Sequence, residues 1–284
     1  ASELAESHAD LADAWLGVCD IENATRNRLK NVELAEKFYG LDPGSNRLKQ
    51  DYAYALTGLA LVRRMAGRVE AAMESLVEAL ELQRALLDAD PNNMEKRWNL
   101  LKISSLQAQF LAWTGNDDES NRLSQSILAE TEELAGRYRD LRLEHAIWHG
   151  KFLGDLALRS FRRSENTYAN VLLLQSIQNL SAIAEEHPGS NRALRELSFS
   201  YFLYWDQNGA APPGLAPDEW LSRFRQTLND SGCEDLDLAA RLAVLEGREA
   251  DARQHASYLI GKGYLEPGFM EFCRKHGVCE QPGL

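Results

Sequence analysis

The sequence predicts an all-α fold, an α-solenoid of antiparallel helix pairs with long helices and a period of about 48 residues. Three observations predict it. Chain breakers recur at an even interval: Pro43, Gly67, Pro91 and Gly115 stand 24 residues apart. The stretch 92–187 holds no proline, which long helices require and loop-rich chains seldom show. Apolar residues between the breakers follow helical spacing, and no sustained strand-type alternation competes with it.

The elements follow in chain order. From Gly115 to Pro188 is 73 residues, three further steps of 24 plus one, so two more rungs are expected near 139 ("GRYRD") and 164 ("RRSEN"). One step back from Pro43 falls on "CDIEN". Leu48, Tyr52, Leu56, Leu59 and Val62 share one helical face, as do Val69, Ala72, Met73, Leu76, Leu80 and Leu87. Each helix then has roughly 20 residues and a length of roughly 30 Å. Two kinds of turn alternate. Asp42-Pro43-Gly44-Ser45-Asn46, Asp90-Pro91-Asn92-Asn93 and His187-Pro188-Gly189-Ser190-Asn191 stop one helix with Pro and offer Ser or Asn as the cap of the next. Ala66-Gly67-Arg68 and Thr114-Gly115-Asn116 turn on a single glycine. Links this short make neighbours antiparallel, and one amphipathic pair cannot bury both its faces, so pairs must stack. After "FSYFLYWDQNG" the ladder is interrupted by "APPGLAPDEW". The expected organisation is a superhelix over 1–207, a Pro/Gly loop at 208–217, and shorter helices over 218–284, the first at about 218–229, completing or capping the array.

At this level the residues resemble the tetratricopeptide repeat. In "LTGLALVRRMAGRVEAAMESLVEALELQRALLDADPNN" (56–93), Leu59 and Ala60 fill that family's Leu and small positions. Gly67 sits at its inter-helix turn, Ala72 and Ala79 at its small positions, and Pro91 at the end of the unit. The chain departs from the pattern at Arg63, where an aromatic is usual, and at Ser120 and Ser124, where Ala and a large apolar residue are expected. Gly247, between Ala240 and Ala252, gives a second match. The wider arrangement, with its "GYLEPGFMEFC" ending, resembles the C-terminal helical-repeat region of bacterial eukaryotic-like Ser/Thr kinases or of membrane-anchored winged-helix regulators. That resemblance implies a signalling domain acting in cis in a longer parent chain. Kinase motifs themselves are absent from these residues.

Charge and composition narrow the function classes. With 31 Lys and Arg against 43 Asp and Glu the net charge is −12, the wrong sign for binding a phosphate backbone, so nucleic acid is not expected. No apolar run of membrane-spanning length occurs, and the first residues carry no targeting signal, so no membrane insertion is expected from this fragment and its compartment is unassigned. Cys19, Cys233, Cys273 and Cys279 form no Cys-x-x-Cys pair. Cys273 and Cys279 can bridge a turn in an oxidising compartment, but buried or idle thiols are the favoured expectation.

Candidate chemistry is thin. His145 and His149 lie four apart and can face one metal ion, yet Ala146 stands where a zinc protease needs Glu, and Ile147 and Trp148 favour packing. Glu130, Glu132 and Glu133 read as a solvated face rather than a catalytic pair. Phe199, Tyr201, Phe202, Tyr204 and Trp205 are too many for one stripe, with core packing the default and a ligand pocket the alternative. No catalytic residue, metal or cofactor is assigned.

The repeat resemblance implies a concave groove lined by the first helix of each pair. By the family's register its exposed positions are Tyr54, Thr57, Leu61 and Arg64, then Lys102, Ser105, Gln109 and Trp113, then Lys151 and Asp155. The expected function is a non-enzymatic scaffold that binds a protein or peptide there, with Arg64, Lys102 and Lys151 as polar clamps and Trp113 as an aromatic anchor. The alternative is a ligand-sensing regulatory region of a bacterial kinase or transcription regulator.

Overall fold

A computed structural model describes residues 2–137, 142–214, 222, 225 and 232–279. Among the described residues there are twelve helices and no strands: α1 (Ser2–Gly17), α2 (Ile21–Leu41), α3 (Asn46–Met65), α4 (Val69–Ala89), α5 (Met94–Trp113), α6 (Asp117–Arg137), α7 (Arg142–Arg162), α8 (Asn166–Glu186), α9 (Asn191–Asn208), α10 (Cys233–Leu245), α11 (Glu249–Gly261) and α12 (Pro267–His276). Within each compact unit consecutive helices pack against each other, giving the all-α array of antiparallel helix pairs expected from the ladder. The rung near 139, the end of the 208–217 loop and nearly all of the helix expected at 218–229 lie outside the described residues.

The period is written in the backbone. Positive φ occurs at Cys19, Gly67, Gly115 and Ser164, successively 48, 48 and 49 residues apart. Two of these rungs have no glycine, and Cys19 (φ 56°) and Ser164 (φ 63°) take the left-handed conformation themselves. The proline turns behave differently. There Ser45, Asn93 and Ser190 cap the next helix, their side-chain oxygens accepting from the backbone N–H of Leu48, Lys96 and Ala193.

The chain divides into two compact units, Ala1–Thr114 with Asp230–Leu284, and Gly115–Asn229. In the first, helices approach on small residues. Ala53 and Ala60 on α3, and Ala72 and Ala79 on α4, are fully buried and spaced two turns apart. Leu76, Leu80, Ile103 and Phe110 close around Ala60 and Ala72. Arg63, the departure from the repeat pattern, donates from Nη1 to the Ala71 carbonyl (2.8 Å) and to Ser75 Oγ (2.6 Å), so it ties α3 to α4 by hydrogen bonds.

The C-terminal helices belong to this same unit. Leu265 N donates to Met65 O at 2.7 Å, at the end of α3. Gly67 (φ 70°) lets the chain pass, since a Cβ there would stand 2.8 Å from Leu265 O. Tyr264, Phe269, Phe272 and Cys273 of the "GYLEPGFMEFC" stretch are buried, Pro267 opens α12, and Glu266 caps it by accepting from Phe269 N at 2.7 Å. The expectation of idle thiols is overturned. Cys19 and Cys233, 214 residues apart, form a disulfide, and Cys273 pairs with Cys279. Spacing offered the Cys273–Cys279 bridge but hid the other, because folding rather than sequence brings Cys19 of the first rung beside Cys233 at the start of α10.

In the second unit α7, α8 and α9 meet on Gly and Ser. Ser176 Oγ donates to Gly150 O (2.6 Å) and lies 3.0 Å from Ser200 Oγ. A Cβ on Gly150 would stand 2.6 Å from Leu180 Cγ. Ser120 and Ser124, the two departures from the repeat pattern, are both buried, and Ser124 Oγ donates to Ser120 O.

Two outcomes follow from this packing. Gly150→Ala is expected to destabilise the chain by about 1–3 kcal/mol through overpacking, read from the urea midpoint. Replacing Cys19 and Cys233 together by Ala is expected to cost about 2–4 kcal/mol, the usual range for a cross-link that closes a long loop, and reductant should then lower the variant's midpoint less than the wild type's, since only the short Cys273–Cys279 loop is left to open.

Candidate functional site

α3 and α5 form a continuous polar face within the first unit. Asn99 Nδ2 donates to Tyr54 Oη at 2.6 Å, and Gln50 Nε2 donates to the same oxygen at 2.9 Å. Arg64 Nη1 reaches Gln109 Oε1 at 3.5 Å. Both cross-helix pairs are separated by 45 residues. One period of 48 less one helical turn therefore sets the register between successive first helices.

The expected groove residues fall into three groups. Tyr54 is exposed, and Thr57, Leu61, Arg64 and Lys102 are half-buried on the α3 and α5 helices. Ser105 and Gln109 are buried, and Trp113 is half-buried, tilted against Phe110 at 5.7 Å between ring centroids and packed on the cluster around Leu76. Lys151 and Asp155 lie in the second unit, where Lys151 Nζ donates to Asp155 Oδ2 at 3.1 Å. Tyr54 with Asn99, and Arg64 with Gln109, are thus brought together. Sequence reasoning missed Asn99, Gln50 and Glu234; the 45-residue register would have found Asn99 from Tyr54.

Arg64 is the joint between this face and the C-terminal helices. Its Nη2 lies 3.6 Å from Glu234 Oε1. Behind it, Arg241 Nε donates to Asp237 Oδ1 at 2.7 Å, Tyr264 Oη donates to Asp237 Oδ2 at 3.3 Å, and the Arg241 guanidinium lies over Phe272 at 4.7 Å. Burial holds the Tyr264 phenol well above its usual range. Burial also raises Glu266, and Asp237 adds to this, while Arg64, the Phe269 N–H and Arg241 oppose it.

The other candidates sit as follows. His145 is buried, and burial lowers His149 below the usual imidazole range. Trp148 between them packs on Phe152 (5.5 Å) and carries Arg192 over its ring at 4.3 Å. Among the described residues no three His, Cys, Asp or Glu side chains are grouped to hold a metal ion. Tyr201 and Phe202 are buried in α9, with Phe202 and Trp205 tilted at 6.1 Å. A concavity of 640 Å³ at the Gly115 and Ser164 turns is lined by Asp117, Asp118, Glu119, Arg122, Arg163 and Glu165, with Arg163 bridging Asp118 and Glu165. No helix among the described residues is long and apolar enough to cross a membrane.

No family model matches the chain, and no curated protein matches it. Solved structures of similar course include BtubC from P. vanneervenii, 14% identical, covering 85% of this chain and 90% of that one, with a TM-score of 0.42. PilF of Pseudomonas aeruginosa is 16% identical over 96% of this chain and 98% of its own (TM-score 0.38). A tetratricopeptide repeat protein from Parabacteroides merdae is 12% identical over the same shares (TM-score 0.33). At these values the likenesses carry no argument, and the fold rests on the helix pairing itself. Stacked helix pairs of this kind generally serve as protein-interaction scaffolds.

The Glu266 environment fixes a sign. Its carboxyl is raised in the folded chain, so its contribution is present at low pH and is lost as pH rises from the ordinary Glu value through the raised one. Glu266→Gln keeps an acceptor for the cap and removes the charge. Over about pH 4 to 7, urea midpoints of the variant are expected to lose the downward slope that this residue gives the wild type.

Proposed function

We propose that this chain is a non-enzymatic protein-interaction module that receives an extended peptide or a helix along the α3–α5 face. The observation that carries the reading is the continuity of that face: two successive first helices are locked in register by Tyr54 with Asn99 and Arg64 with Gln109. A rigid ledge of this kind presents Tyr54, Thr57, Leu61 and Lys102 at fixed spacing, which lets a partner bind with little ordering cost. Ser105, Gln109 and Trp113 support the ledge from below. Lys151 and Asp155 belong to the second unit, where they pair with each other. Arg64 works here as a polar clamp, shared between Gln109 and the chain's own Glu234. On this reading the module is part of a larger signalling protein whose other domain it regulates or recruits.

The test is partner capture by the whole chain. Leu61→Asp combined with Lys102→Glu alters two half-buried side chains while sparing Arg64 and Trp113, which the fold uses. Captured partners are expected to be lost from this variant with its helical circular dichroism unchanged; full retention of the wild-type partners would remove the α3–α5 assignment.

A further inference from the structure

The segment α10–α12 is a self-contained piece laid along one edge of the first helix pairs. Its helices pack on one another, α10 on α11 and on α12. Its rings form a chain of their own, Tyr264 to Phe269 at 5.4 Å and Phe269 to Phe272 at 6.2 Å, and Arg241 joins Asp237 to the Phe272 ring. The two core clusters of α2–α5 described around Leu76 and around Tyr52 include nothing from this segment. Its fastenings lie at two successive left-handed turns. Cys233 is bonded to Cys19 at the first, and Leu265 N donates to Met65 O beside Gly67 at the second. Glu234 adds an ion pair to Arg64 at 3.6 Å, but its side chain is 45% exposed, so that pair holds weakly. Only the disulfide among these three is covalent.

The bond lies just beneath the surface. Cys19 and Cys233 are buried, but Gly17 and Val18 before the first and Glu234 after the second are exposed, so fraying of one turn admits a small thiolate. It closes a separation of 214 residues, and its loss returns to the segment the freedom to leave the edge. We propose that α10–α12 is a redox-held strap: a dithiol reductant opens Cys19–Cys233 and frees the segment from the Cys19–Gly67 edge while α3–α5 stay folded. A thiolate of the reductant attacks one sulfur and displaces the other cysteine. The reductant's second thiol then closes its own ring, leaving two protein thiols and one cyclic disulfide, the two electrons and two protons having come from the dithiol. Cys273–Cys279 spans six residues inside the segment and cannot hold it to the edge. Release also takes Glu234 from Arg64. The opening rests on the segment's own contacts; only the use of the freed Arg64 by a partner rests on the α3–α5 reading.

The test is hydrogen exchange of the whole chain, read by mass spectrometry, before and after dithiothreitol with iodoacetamide alkylation of the released thiols. Reduction is expected to speed exchange over residues 233–276 about tenfold or more, with α3–α5 unchanged. Cys19→Ser with Cys233→Ser should show the fast exchange without reductant. Cys273→Ser with Cys279→Ser should stay protected until reduced and then respond as the wild type does, which confines the effect, and the alkylation, to Cys19 and Cys233. That variant, reduced and alkylated, still answers the question if Cys19→Ser with Cys233→Ser fails to fold. Leu61→Asp with Lys102→Glu should leave the exchange pattern intact, so the α3–α5 reading is scored separately. Full protection of 233–276 with Cys19 and Cys233 shown to be alkylated overturns the proposal, because non-covalent docking then suffices. So does loss of protection across α3–α5 together with the segment, which makes the bond a staple of the whole unit, or a Cys19–Cys233 bond that dithiothreitol leaves closed in the native chain.

Discussion

How closely two helix axes can approach is the constraint on which the rest of this structure depends. Interaxial distance is set by the side chains at the crossing, and here those are the smallest available. Ala5 and Ala12, Ala53 and Ala60, Ala72 and Ala79, Gly150 and Ala157, Ala169 and Ser176, and Ala193 and Ser200 are buried pairs seven residues apart. Seven residues fall about 20° short of two full turns, so both members of a pair meet the same neighbour. With the axes held this close, the large side chains Leu76, Leu80 and Phe110 fill the spaces on either side.

Close approach also decides where polar groups can be buried. Where a helix lacks a side chain, the neighbour's polar atom reaches its backbone, as Ser176 Oγ does at Gly150 O. Gly58 makes room in the same way: a Cβ there would stand 3.0 Å from the Arg28 guanidinium, which instead lies along α3 and pairs with Asp13. Arg63 replaces an aromatic wedge by two hydrogen bonds to α4. Each of these polar groups reaches a partner on a neighbouring helix and so fixes register.

The ladder was legible because its signals are local. Pro43, Gly67, Pro91, Gly115 and Pro188 act on the residues beside them, and the Ser and Asn caps two residues after each proline do the same. Even the two rungs without glycine, at Cys19 and Ser164, were placed by counting. What was not legible depends on contacts distant in sequence. Cys19 and Cys233 carry no spacing signal, since their meeting needs the α10–α12 segment to return to the first helix pairs. Glu234 at Arg64 follows from that same return. The α3–α5 face stands between these cases. Its exposed positions came from repeat register, but its partners required knowing that the contact runs at 45 residues and not at the 48 of the ladder.

The engagement of Arg64 bears on how the proposed face would discriminate. A guanidinium already shared between Gln109 and Glu234 gives an incoming carboxylate only the difference between two ion pairs, not the value of a new one. Affinity from that position is therefore small, and selection shifts to groups that gain on contact. Leu61 is half-buried and can shed its remaining water, and Tyr54 offers an aromatic ring whose hydroxyl is already oriented by Asn99 and Gln50. A partner suited to this face accordingly brings apolar side chains at the spacing of successive first helices, with polar groups that respect a hydrogen-bond pattern already closed.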